Sequence, residues 1–113
     1  MEKDNAVERA IGRRIQQIRR EKGYTQQQFA ELVGLSTYYL SDVERGKSSV
    51  RLDKLAAIIN ALGCCADDVF IDVTDYGHKL RMTKLTERIA RLPQQDQQRI
   101  AAIVETLLQV DQR

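Results

Sequence analysis

A chain of 113 residues with 42% hydrophobic and 30% charged side chains lies above the hydrophobic depletion of a disordered protein and is too short for a catalytic domain of several layers. Eighteen Lys and Arg against 16 Asp and Glu leave +2, and the surplus is local: residues 1–63 carry 11 basic and 8 acidic side chains (+3), residues 64–113 carry 7 and 8 (−1). No run approaches the roughly 20 apolar residues of a spanning helix, and Met1 to Ala10 lack the apolar segment of a secretion signal, so a cytoplasmic protein with no membrane contact is expected.

Val7, Ile11, Ile15 and Ile18 recur at helical spacing and predict an amphipathic helix from about Ala6 to Lys22, ended by Gly23. Asn5 is placed to cap its start with Glu8 as reciprocal partner, and Arg19, Arg20 and Lys22 suit the negative end of the helix dipole. Arg13, Arg14, Arg20 and Lys22 face either phosphate or plain solvent. Thr25 and Gln28 form the spacing of a capping box, which opens a short helix with Phe29, Leu32 and Val33 on its apolar face. Gly34 ends that helix, Leu35 packs in the turn and Ser36 caps the next. The result is a helix, tight turn and helix, with Phe29, Val33, Leu35, Leu40 and Val43 converging between the crossed helices and Ala30 at their close approach.

From Thr37 to about Arg45 the other face carries Thr37, Tyr38, Ser41 and Asp42, with Arg45 beyond them. A face without an apolar stripe is free to recognise a partner. The major groove of duplex DNA admits such a helix and presents base edges that short polar groups and methyl contacts distinguish; a protein surface would use the same helix differently. Gly46 closes the segment, and Lys47 beside the helix is expected to contact the DNA backbone. Leu52, Leu55, Ala56, Ile58, Ile59 and Leu62 then predict a helix from about Leu52 to Leu62, stopped by Gly63, and Asp67 to Phe70 a short fifth helix.

The set Gln26, Phe29, Ala30, Gly34, Leu35, Leu40, Val43, Glu44 and Gly46 resembles the Cro/C1-type (XRE-like) helix-turn-helix family of phage and bacterial repressors. The segments TQQQFAELVGLSTYYLSDVERG and RLDKLAAIINALG resemble successive parts of one five-helix DNA-binding domain, over about Ile11 to Phe70. The resemblance implies that Gln26 contacts backbone phosphate and braces the recognition helix, and that Thr37 and Tyr38 read bases. It places Ser41 and Asp42 facing or flanking the groove, and Tyr39 and Arg45 at the DNA backbone. It also implies an ion pair between Arg19 and Glu44 that positions the recognition helix without touching a base.

Three positions depart from the family pattern: Val50 stands for a frequent Pro, Arg51 for a small capping residue and Cys65 for a Ser-like cap. Arg51 either adds attraction for phosphate or is a surface side chain beside a poorly capped helix. Asp42 would oppose phosphate unless it accepts from a cytosine amino group or pairs with a basic neighbour.

Cys64 and Cys65 are adjacent, too close for an ordinary structural bridge and without a second pair for a tetrathiolate site, so reduced thiols are expected. Residues 64–78 hold Asp67, Asp68, Asp72 and Asp75 and no Lys or Arg, an acidic patch expected to face away from DNA. The sole histidine, His78, lies in a stretch around Tyr76 and Gly77 that reads as a connection, over residues 71–79. Leu80, Leu85, Ile89 and Leu92, then Pro93, then Ile100, Ile103, Val104, Leu107 and Leu108 predict a helical hairpin over residues 80–110.

The expected architecture is therefore all-α, with a five-helix Cro/C1-type domain at residues 6–70 followed by that hairpin. The hairpin either packs internally or dimerises the protein; in a two-fold dimer, recognition helices about 34 Å apart meet successive major grooves. The expected function is binding of double-stranded DNA as a homodimeric transcriptional regulator, with repression favoured by the resemblance. An antitoxin that holds a toxin through the hairpin, and a protein-interaction module without DNA binding, are the alternatives. No enzyme, cofactor or metal is expected.

Overall fold

In the computed structural model, which describes residues 5–111, the helix ends at Thr25, Gly34, Ser36 and Gly63 fall at the capping residues and glycines of the sequence. The helices are α1 (Ala6–Glu21), α2 (Gln26–Val33), α3 (Thr37–Glu44), α4 (Leu52–Leu62), α5 (Ala66–Phe70), α6 (Asp75–Ala90) and α7 (Gln94–Asp111), and the described residues are all-α. Thr25 Oγ1 accepts from the Gln28 amide at 3.1 Å while Gln28 Oε1 accepts from the Thr25 amide at 3.0 Å, the reciprocal cap that opens α2. Gly34 ends α2 at φ +72°, a left-handed conformation that side chains disfavour.

α1 packs against α3 and α5, and α2 against α3 and α4. Their inner faces bury Ile15, Ile18, Phe29, Ala30, Leu40, Val43, Leu55, Ile58, Leu62 and Val69 in one core. The Tyr24 ring leans on Phe29 at a centroid distance of 5.7 Å. Burying side chains of this size stabilises by about 1.5–3 kcal/mol each before chain entropy is set against it.

Several expectations are corrected. Asn5 makes no side-chain cap, because its backbone (φ −104°, ψ 26°) is not the extended one from which a cap side chain reaches the free amides. Glu8 instead accepts from Ser49 Oγ at 3.3 Å. Leu32, Leu52 and Ala56, placed on core faces, are exposed. In each helix the buried arc is narrower than the apolar one: it centres on Phe29 and Ala30 in α2 and on Leu55, Ile58 and Leu62 in α4. The stretch Tyr76 to His78, read as connection, is helical, since α6 already starts at Asp75. There the Thr74 hydroxyl accepts from the Gly77 amide at 3.0 Å. Of the stretch Met1 to Ala10, the first four residues lie outside the described ones. No helix among the described residues is long and apolar enough to cross a membrane.

Two compact units divide the chain, Met1–His78 and Lys79–Arg113. The second holds α6 from Lys79 onward and α7, joined through Arg91, Leu92 and Pro93. The Gln97 side-chain amide donates to the carbonyls of Leu92 at 2.8 Å and Ala90 at 3.2 Å, and so meets the free end of α6. None of the apolar side chains on α7 is buried: Ile103, Val104, Leu107, Leu108 and Val110 are exposed and Ile100 is half-covered.

Cys64 is half-buried in a depression of about 270 Å³ lined by Arg14, Ile18, Glu21, Lys22, Gly63 and Asp68. Burial pushes its thiol above the ordinary range, helped by the charges of Asp68 and Cys65 and opposed by Lys22 and Arg14. Fewer thiolates at a given pH mean slower chemistry. In a Cys65→Ser variant, Cys64 should be alkylated at pH 8 more slowly than a free small-molecule thiol, with the rate still rising at pH values where the free thiol has levelled. Equal rates at pH 8 would contradict the shielding.

Candidate nucleic-acid interface

α3 begins at Ser36, whose hydroxyl accepts from the Tyr39 amide at 3.0 Å. At 100° per residue its buried side chains, Leu40, Val43 and Glu44, fill one arc and Tyr38, Ser41, Asp42 and Arg45 fill another, with Thr37 in the first turn at the edge between the two. Thr37 and Tyr38 are exposed, Tyr38 at 76%, so their side chains are not enclosed by the protein's own interior. Ser41 and Asp42 are half-covered and Arg45 is exposed.

The inner arc is held by a charged network as well as by the core. Arg19 Nε donates to Glu44 Oε2 at 2.7 Å and Arg19 Nη2 to Oε1 at 3.0 Å, a bidentate pair whose members are 4% and 3% exposed. Arg19 Nη1 donates to the Tyr24 carbonyl at 2.7 Å, and Gln26 Nε2 to Glu44 Oε1 at 3.0 Å. Three helices therefore meet at the Glu44 carboxylate, and Gln26 braces α3 from the start of α2.

Sequence reading passed over Gly12, on the face of α1 that meets the end of α3. A Cβ there would press on the Val43 carbonyl oxygen and stand 2.6 Å from that of Glu44. Its only sequence signal was a glycine inside a strongly amphipathic helix, a residue that weakens a helix unless close packing requires it.

The other residues assigned to the DNA backbone lie around α3. The Tyr39 hydroxyl donates to the Ser49 carbonyl at 3.3 Å and ties α3 to the loop before α4. The bond is long for a hydroxyl, and its hydrogen can turn to another acceptor such as a phosphate oxygen. Lys47 is exposed. Arg51 precedes α4 without capping it, and its guanidinium stands 3.3 Å from Asp53 with both side chains well exposed. Arg14 is turned toward α5: its Nε donates to the Asp68 carbonyl at 2.8 Å and its Nη1 to Gln17 Oε1 at 2.7 Å. Asp42 has found the basic neighbour that sequence allowed for, since its Oδ1 accepts from Arg45 Nη2 at 2.7 Å. Among the described residues, no group of three His, Cys, Asp or Glu side chains could hold a metal.

The model of the helix-turn-helix family matches residues 15–69. The immunity repressor protein of Bacillus phage phi105 is 45% identical over 53 residues, 47% of this chain and 37% of that protein. An uncharacterized HTH-type transcriptional regulator of Bacillus subtilis, YazB, is 43% identical over 61 residues, 51% of this chain and 84% of that one. Among solved structures, the clp gene regulator ClgR of Corynebacterium glutamicum superposes with a TM-score of 0.56 at 37% identity, over 57% of this chain and 83% of that one. The chain thus spans well under half the length of the phage repressor, and the likeness is strongest over the first five helices.

Proposed function

The chain belongs to the Cro/C1-type helix-turn-helix family of DNA-binding transcriptional regulators, and we propose that it is a repressor that reads the major groove of an operator as a homodimer in the cytoplasm. The observation that carries this reading is the exposed surface of α3, with Thr37 and Tyr38 open to solvent while Leu40, Val43 and Glu44 hold the helix against the core. Phosphate attraction steers the basic first half of the chain, and Gln26, Arg45, Lys47 and Arg51 set its register. Thr37, Tyr38 and Ser41 then discriminate base edges, with Asp42 flanking them. Occupancy of the operator blocks polymerase. The activity is binding, with no enzymatic step.

Selection of duplexes from a random library with purified protein tests this. A recovered motif is expected, and Thr37→Ala or Tyr38→Ala should relax preference at particular base pairs by about 1–3 kcal/mol. Gln26→Ala should weaken all sequences more evenly. Failure of the folded protein to prefer any sequence at low and moderate salt would overturn the reading.

The dimer reading rests on the second unit. α6 and α7 make few close approaches to each other within one chain, and Leu85, Ile89, Leu92, Ile100, Ile103, Val104, Leu107 and Leu108 form the contact between two copies. A pair of helices with no buried apolar side chain of its own gains little from folding alone. The exposed breadth of α7 is available to a second copy. Joined this way, two α3 helices reach successive major grooves and multiply weak half-site binding. Ile103→Asp with Leu107→Asp should convert a dimeric mass in light scattering to a monomeric one and weaken binding to a two-half-site duplex by about tenfold or more. A wild-type chain that is monomeric at micromolar concentration would refute the dimer. Its co-purification with one defined partner chain would favour the antitoxin alternative.

A further inference from the structure

We infer that Asp42 is a positioning residue that orients Arg45 toward phosphate and reads no base; the inference rests on the DNA-binding reading above. A carboxylate on the groove-facing arc of α3 is the one charge there that phosphate would repel. Its Oδ1 accepts from Arg45 Nη2 at 2.7 Å, and Arg45 Nε donates to the Ser41 carbonyl at 3.3 Å. Two anchor points fix the plane of the guanidinium. Of its five N–H donors two are engaged, which leaves three for a phosphate. The Arg45 side chain is 50% exposed and open to a phosphate, whereas the Asp42 side chain, at 17%, is mostly covered and offers a base edge little access.

Pairing has a second consequence. The Asp42–Arg45 unit is close to neutral, so it adds little undirected attraction for nucleic acid. It contributes through geometry, when a phosphate stands where the held guanidinium points. Register is gained at the expense of raw attraction, which is the distinction between specific and non-specific binding.

The test uses the full chain with Asp42→Ala, Asp42→Asn, Arg45→Ala and the double variant Asp42→Ala/Arg45→Ala, each checked for unchanged helicity. Library selection gives base preference, and titration of the selected duplex and a scrambled one gives the specificity ratio. Asp42→Ala should recover the wild-type motif at every position, bind scrambled duplex about threefold tighter and lower the specificity ratio. Asp42→Asn keeps an acceptor for Arg45 and should hold that ratio closer to wild type. Arg45→Ala should weaken selected duplex about tenfold, because it also strands the carboxylate; the double variant should regain about threefold over it.

If Asp42 reads a base, Asp42→Ala loses preference at one base pair, Asp42→Asn recruits adenine there, and the double variant binds no tighter than Arg45→Ala. Any of these results overturns the inference while leaving the DNA-binding reading intact. A wild-type chain that selects no motif overturns both, and is recognisable without any variant.

Discussion

Gly12→Ala should destabilise the protein by about 3 kcal/mol and disturb DNA binding, although alanine is the better helix former by about 1 kcal/mol. Propensity and packing therefore predict opposite signs. The added methyl group would meet backbone, the carbonyls of Val43 and Glu44, rather than a flexible side chain that rotates away. Relief requires α1 and the end of α3 to separate, which opens the core at Ile15 and Val43 and shifts the helix that carries Thr37 and Tyr38. Urea denaturation monitored by helicity checks the sign, with Arg13→Ala on the exposed face of α1 as the control expected near zero. A stabilised Gly12→Ala protein would show that the two helices have slack at their crossing.

Glu44→Ala is expected to cost about 3–5 kcal/mol, since it leaves the guanidinium of Arg19 buried without a counter-charge. Arg19 is 4% exposed, and its remaining listener is the Tyr24 carbonyl, which cannot neutralise it. Against a total stability of about 5–15 kcal/mol for a domain of this size, the loss is large enough to populate unfolded chains near physiological temperature. Replacing both partners by apolar residues of similar volume, Arg19→Met with Glu44→Leu, should recover most of the stability because no orphaned charge remains. DNA affinity should recover less, since Gln26 then also loses its acceptor at 3.0 Å and its brace on α3. Thermal melts of the two variants and the unaltered chain check the order, and a double variant as unstable as Glu44→Ala would refute the orphan-charge account.

Much of this region was legible in the chain because its signals are local. The Thr25 and Gln28 cap, the Gly34 turn and the Ser36 cap each depend on residues within a few positions of one another, and each forms as the spacing predicts. The pair of Arg19 and Glu44 was legible only through family resemblance, since nothing local links residues 25 apart in sequence. Asn5 and Leu52 misled for a common reason: a cap residue or an apolar side chain at the first turn of a helix is used only if the neighbouring backbone and packing turn it inward.

By itself the sequence determined where α1 to α4 start and stop and which broad face of each is apolar, because caps and periodicity act over single turns. Tertiary structure decided how narrow each buried arc is, that Gly12 lies against two carbonyls and that Gln26 shares the Glu44 carboxylate with Arg19. Those outcomes depend on how closely helices approach and on which rotamers the crossing leaves open. Interhelical distance and side-chain direction arise only when separate segments meet, and no stretch of chain encodes them alone.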